Sequence, residues 1–270
     1  AEKCMQRPQV FVACRVLLGP KPPTRNATPC SAPIVLRYCS PTRLPHPTLP
    51  QPLKEDALRS TRTTKNLVDE YKLHETLGRS AAFQVRRATR RASGEQCAIK
   101  LLHLKDALVT PRGDPAIELL SEIEILKTLQ GTPGVVSLLD NLRQIEPPIM
   151  AAVFELLMGG DLFDRIEAHG PCTEPEAALI AQQVGGALAH MHSLKIVHRD
   201  IKTLNIVIKG GVAKLCDLGV SRLRSQETVM MDTFCGTPAY ISPEVVATQP
   251  YTEKTDVWAL GILLIEATLL

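Results

Sequence analysis

No two cysteines stand in a C-x-x-C pair anywhere in these 270 residues. The eight cysteines are scattered, which excludes both a zinc site of the usual spacing and a disulfide framework. Reduced thiols and a cytoplasmic location are the expectation. Long hydrophobic runs are also missing. No apolar stretch reaches the roughly 18 residues a bilayer span needs. Val257–Leu270 comes nearest and is interrupted by Glu266. Acid is almost absent from residues 1–54, which hold eight Lys/Arg and only Glu2, so that segment carries +7 of a net +3 and leaves the remainder at −4. A chain-wide basic surface is therefore excluded, and nucleic acid is not an expected partner.

Periodicity is lacking as well over residues 1–53, which contain eleven of the 21 prolines. Such a segment buries too little apolar surface to offset its chain entropy, so residues 1–66 are expected to be a disordered Pro/Arg-rich tail. Its arginines and scarcity of acid also suit an organelle transit peptide, but Ser is sparse and the prolines break an amphipathic helix. The chain begins with Ala1 rather than Met, so the true start is expected to lie upstream.

What is present concentrates in Ile196-Val197-His198-Arg199-Asp200-Ile201-Lys202-Thr203-Leu204-Asn205, with Asp217-Leu218-Gly219 twelve residues later. An apolar approach ends in Asp200, Lys202 and Asn205, and a second carboxylate follows after another apolar run. Phosphoryl transfer from a nucleotide needs such a set: a carboxylate to accept a hydroxyl proton, a cation near the moving phosphate, and oxygen ligands for magnesium. A solvated charged loop is the bland alternative. The stretch resembles the protein-kinase catalytic loop H-R-D-x-K-x-x-N and the D-F-G metal motif, with Leu for Phe.

That resemblance implies an α+β, two-lobed protein-kinase-like fold over residues 71–268: a small antiparallel-sheet N-lobe of five strands with one helix (the family's αC) over 67–155, and a mostly helical C-lobe over 156–270. Tyr71–Gly78, Gln84–Ala88 and Glu95–Leu102 read as strands. The third carries Cys97-Ala98-Ile99-Lys100, like the family's V-A-I-K, with Gly78 22 residues upstream. Lys100 is then expected on the α/β-phosphates of ATP. Residues 115–130 repeat apolar side chains at helical spacing, and Glu122 within them is expected to pair with Lys100, Glu118 and Glu124 being ordinary surface acids. Ile149–Glu155 reads as a buried strand leading to a hinge, then a short helix over Asp161–Ala168. By resemblance Phe154 backs the adenine pocket, Glu155 and Leu157 offer backbone groups, and Asp161 faces ribose or substrate. Leu77, Gly78, Val85, Ala98 and Val207 complete the expected nucleotide contacts.

Residues 175–194 form an amphipathic helix, with Pro175 early and Ala177, Ala181, Val184, Leu188 and Met191 on one face. His190 and His192 face different sides, which argues against a metal pair and makes them surface residues. The resemblance makes Asp200 the catalytic base, Lys202 the γ-phosphate cation, and Asn205 and Asp217 the ligands of Mg2+. Cys216 is expected to be a buried strand thiol rather than a reactive one. Thr233–Glu244 resembles the activation loop and its A-P-E end, and Asp256 the acid that braces the catalytic loop. Arg199 then needs an anion, and a phosphate on Thr233, or failing that Thr228, would supply it.

Lys202–Asn205 and 250–261 are similar to NIMA-related kinases, while the 154–163 hinge is closer to calmodulin-dependent kinases. The first likeness implies cytoskeletal or ciliary partners and a centrosomal or ciliary location. Two departures stand out. The glycine loop, Gly78-Arg79-Ser80-Ala81-Ala82-Phe83-Gln84-Val85, keeps only the first of three glycines, and Phe83 either would crowd the γ-phosphate or, with a one-residue shift, would be the loop's usual tip aromatic. The chain also stops fourteen residues after Asp256, so the family's last helices are expected beyond it, leaving an apolar flank and Glu244 uncovered. A serine/threonine protein kinase acting on protein substrates is the leading reading. A catalytically impaired kinase-like scaffold is its rival. A small-molecule kinase is disfavoured by the Gly236-Thr237-Pro238…Pro243-Glu244 platform.

Overall fold

The computed structural model describes residues 61–64, 66–105, 114–223, 237–247 and 252–269. A six-stranded sheet is built from β1 (Arg62–Thr64), β2 (Tyr71–Arg79), β3 (Phe83–Arg90), β4 (Gln96–His103), β5 (Leu138–Gln144) and β6 (Ile149–Glu155). Its order is β1-β5-β6-β4-β3-β2, antiparallel except for β1 on β5. Two short helices of the sequence flank it, α1 (Leu67–Glu70) and the longer α2 (Pro115–Thr128). Asp114 caps α2 by accepting from the Ala116 amide, and Pro115 occupies the first turn, where its missing N–H costs nothing.

The second lobe holds α3 (Leu162–His169), α4 (Glu174–Ser193), β7 (Ile196–Val197), a 3-10 turn at Thr203–Asn205, β8 (Ile206–Lys209), β9 (Val212–Leu215) and β10 (Arg222–Leu223). After residues outside the description come a 3-10 turn at Pro238–Tyr240, α5 (Pro243–Val246) and α6 (Lys254–Leu269). A Thr173/Glu176 capping box starts α4. Gly210 and Gly211, both at positive φ (57° and 81°), make the two-residue turn of the β8–β9 hairpin. That hairpin sets Asn205 at its entrance and Asp217 just past its exit.

Two apolar clusters fill the interior. One covers the outer face of the sheet with Leu67, Tyr71, Ile99, Leu142 and Val153. The other runs from Phe83, Leu119 and Ile123 through Met191 and Ile206 to Leu263. On α2 the buried face is Leu119, Glu122, Ile123 and Leu126, at the 3–4 spacing that one side of a helix requires.

Four expectations are corrected here. Regular structure is already present before Leu67, because Arg62–Thr64 adds a strand and makes the sheet six-stranded, not five. Its anchors are specific: Arg62 reaches Glu70 at 2.7 Å and Asp140 at 2.8 Å, and Thr64 Oγ1 donates to Glu70 at 2.6 Å. Residues 1–60 and Lys65 of the expected tail lie outside the described ones, as do Thr228 and Thr233. His192 is not a free surface residue, since its Nε2 donates to Asp256 at 2.8 Å. Glu118 is half-buried, its carboxylate standing over Gly219. Asp161 caps α3 instead of beginning it, accepting from the Asp164 amide at 2.8 Å.

Candidate active site

Between the sheet and the second lobe opens a cleft of about 490 Å³. Strand pairing places its roof: Lys100 on β4 lies opposite Val85 on β3 and Ala152 on β6. Leu77, Gly78, Val85 and Ala98 line it from above, Phe154, Glu155 and Leu157 from the hinge, and Asp161 and Val207 from below. Gly159 lets the hinge pass against β8, where a Cβ would sit 1.4 Å from the Ile208 carbonyl oxygen. The hinge is pinned by its own acid. Glu155 Oε1 accepts from Lys214 at 2.5 Å and from the Ser137 amide at 2.8 Å.

At the inner end Lys100 Nζ donates to Glu122 at 2.8 Å and to Asp217, 117 residues away, at 3.2 Å. Both Lys100 and Glu122 are buried. Burial opposes the Lys100 charge, but the two carboxylates outweigh it and raise its pKa. Burial likewise pushes the Glu122 carboxyl up, with the ammonium pulling against it. The Lys100 charge holds Asp217 down to about 2, although its carboxylate opens onto the cleft. Cys216, beside it, has its thiol pushed up to about 12 by burial and then by Asp217. The sequence expected a buried thiol; this one is half-buried and lines the cleft.

The other group surrounds Asp200, which is 4% exposed. Its Oδ2 accepts from Lys202 at 2.7 Å and from Asn205 Nδ2 at 3.2 Å, and its Oδ1 from Thr237 Oγ1 at 3.0 Å. Thr237 in turn accepts from Lys202 at 3.1 Å. Asn205 Nδ2 also donates to the Asp200 carbonyl at 2.7 Å, which fixes the amide and turns its oxygen away from this cluster. A fixed amide oxygen and an ionised carboxylate, one on each side of the β8–β9 hairpin, are hard donors of the kind magnesium takes. The residues therefore fit the ion.

Arg199, at φ 70°, donates from Nε to the Val220 carbonyl at 2.7 Å and meets it again through Nη2. Asp256, 1% exposed, accepts from the His198 amide at 2.9 Å, the Arg199 amide at 2.8 Å and His192. The sequence had no signal for His192 beyond its place on α4. Nor did it single out the Thr203–Tyr240–Glu266 group, in which Tyr240 donates to Glu266 and Thr203 Oγ1 donates to Glu266 at 3.2 Å. Burial, together with Glu266, raises the Tyr240 pKa. On α6, Val257, Trp258, Ile265 and Leu269 are exposed. Glu244 has no ion-pair partner among the described residues.

A sheet lobe over a helical lobe, with an ion-paired lysine above the cleft and a paired aspartate below, defines a two-lobed protein-kinase fold. Residues 71–269 match the protein kinase domain family, and the chain belongs to it. Calcium/calmodulin-dependent protein kinase type 1B of Rattus norvegicus and of Homo sapiens are each 36% identical to it over 204 residues, 74% of this chain and 57% of theirs. A "Probable myosin light chain kinase" of Dictyostelium discoideum is 33% identical over 199 residues, 72% of this chain and 60% of its own. The chain thus spans less than two thirds of the length of these curated relatives. They agree with the hinge likeness and give no support to the NIMA-related one. No helix among the described residues is long and apolar enough to cross a membrane.

Proposed function

We propose that this chain carries a serine/threonine protein kinase activity, transferring the γ-phosphoryl of ATP to protein hydroxyls. The observation that carries the reading is Lys100 joining Glu122 to Asp217 across the cleft. A lone buried lysine needs one counter-charge. This one holds two, from a helix and from the far lobe, and a bound polyphosphate would take its place among them.

The adenine end of the cleft is apolar at Leu77, Val85, Ala98 and Val207, suited to a flat heterocycle. Lys100 binds the α/β-phosphates, and Glu122 positions Lys100. Asp200 accepts the substrate hydroxyl proton, with Thr237 and Asn205 orienting its two oxygens. Lys202 sets a positive charge beside the phosphoryl in flight. Asn205 and Asp217 would hold Mg2+, which when bound supplies charge neutralisation at the phosphates. Arg199 offers a cation for a phosphate on Thr233 or Thr228, the basis of an activation-loop switch.

Phosphate transfer from radiolabelled MgATP to a mixed protein substrate tests this. Asp200→Asn should lower the rate roughly 10²- to 10⁴-fold, as loss of a general base does, and Asp217→Asn should abolish metal-dependent transfer. Transfer undiminished in both variants would sink the proposal. The scaffold reading keeps one observation in its favour, the aromatic ring at position 83.

A further inference from the structure

The glycine loop closes on itself. Ser80 N donates to the Phe83 carbonyl at 2.9 Å, and Phe83 N donates to Ser80 Oγ at 3.1 Å. Two backbone amides at the loop's turn are thereby spent inside it. The Phe83 ring points inward, leaving the residue 8% exposed and in contact with the large core cluster. Its centroid lies 4.6 Å from Lys100 Nζ, well within cation–π range. An ammonium has three N–H donors. Two serve Glu122 and Asp217, and the ring lies against the same ammonium.

We propose that Phe83 plugs the phosphate end of the cleft: at rest the site accepts an adenine nucleoside, and a triphosphate must displace the ring from Lys100. The inference rests on the kinase reading for the identity of the ligand. Its physical basis is competition for one cation. A phosphate oxygen reaching Lys100 must first remove an aromatic face that costs little to desolvate, and must open the Ser80–Phe83 turn if it is to use those amides. The apolar outer part of the cleft, at Leu77 and Val85, takes part in neither contact. Position 83 therefore sets how much the phosphates add to binding, independently of the adenine.

Calorimetric titration of the full chain with adenosine, MgADP and MgATP at fixed ionic strength tests this, using wild type, Phe83→Gly and Phe83→Leu. In the wild type, MgATP should bind no more than about tenfold tighter than adenosine, the ring offsetting part of what the phosphates gain on Lys100. In Phe83→Gly the MgATP Kd should fall roughly 2- to 30-fold, the span of such contacts, while that of adenosine moves less than about twofold. Phe83→Leu keeps the apolar packing and removes the aromatic face, so it should show the same direction and decides the matter if the glycine variant does not fold. MgATP binding the wild type more than about tenfold tighter than adenosine, or MgATP affinity unchanged in the folded variants, overturns the plug. Adenosine failing to bind while MgATP binds overturns the plug alone, and none of adenosine, MgADP and MgATP binding any of the three proteins overturns the kinase reading, and the plug with it.

Discussion

Asp256→Ala should loosen the catalytic loop from the rest of the second lobe. The carboxylate accepts three hydrogen bonds at 2.8–2.9 Å, two of them from the consecutive amides of His198 and Arg199, and it is 1% exposed. Removing it leaves the buried His198 amide and the half-buried Arg199 amide without an acceptor, at about 1–3 kcal/mol each, and releases the His192 ring. Arg199 sits in the left-handed region at φ 70°, which costs a non-glycine residue roughly 1–2 kcal/mol. Freed of the clamp, it would relax and recover that amount, dragging Asp200 with it. The net loss is then about 3 kcal/mol, a fall in Tm of roughly 6–12 °C for a domain of this size. Asp256→Asn keeps one acceptor oxygen and orphans a single donor, so it should lose about 1–3 kcal/mol. Thermal denaturation gives the stabilities, and phosphate transfer separates kcat from KM. The alanine variant should lose kcat with little change in the KM for ATP, because the loop and not the adenine pocket has moved. A Tm within about 2 °C of wild type and undiminished kcat would refute the reasoning.

Three further outcomes follow from the site. Cys216, raised from 9.0 to about 12, should alkylate in the native protein roughly a thousandfold more slowly than when unfolded at pH 8, since only the thiolate reacts; peptide-resolved mass spectrometry reads this, and labelling at the unfolded rate would contradict it. Asp217 has a folded pKa below its unfolded one, so its contribution to stability is complete above about pH 4 and is lost as pH falls through about 2. Its exposure to solvent keeps that contribution small, and Glu122, pushed up by burial, works in the opposite sense. Asp217→Asn should therefore lower stability by a small and constant amount above about pH 4, with the difference from wild type vanishing as pH falls through about 2; a difference that appears only below pH 4 would count against the assignment. Gly159→Ala should displace the hinge from β8, costing about 1–3 kcal/mol as overpacking does, and weaken adenosine binding; wild-type stability and affinity together would show that the close approach is not needed.

The cluster around Asp200 was legible because its members are local in sequence. Asp200, Lys202 and Asn205 fall within six residues, and the apolar runs on either side announce a loop between buried strands. Lys100 with Glu122 was legible for a different reason. The pairing came from the resemblance of Cys97–Lys100 and of Glu122–Leu126 to the family's strand and helix, and the fold brings the two side chains to 2.8 Å. What escaped notice were side chains whose meaning exists only after folding. His192 reads as the polar side of an amphipathic helix until α6 brings Asp256, 64 residues away, against it. Glu266 reads as an interruption in an apolar helix until Tyr240 and Thr203 arrive on its carboxylate. Arg62–Thr64 was hidden by its neighbours. A three-residue strand next to a basic, proline-rich stretch carries no periodic signal, and its anchors Glu70 and Asp140 are supplied by other elements.

The two residues of the site held at positive φ, Arg199 and Asp217, explain why the second lobe is built as it is. Each lies at a turning point just after a strand, Arg199 turning its guanidinium onto the Val220 carbonyl and Asp217 its carboxylate into the cleft. Neither conformation is favourable alone for a residue with a Cβ. The compensation is electrostatic in both cases but comes from opposite directions: Asp256 on α6 clamps the Arg199 amide from below, and Lys100 on β4 draws the Asp217 carboxylate from above. Strain at the first is thus tied to the core of the helical lobe, and strain at the second to the sheet lobe. Asp217 is for that reason tied to the sheet lobe through Lys100, while Asp200, next to Arg199, is tied to the helical lobe through Asp256.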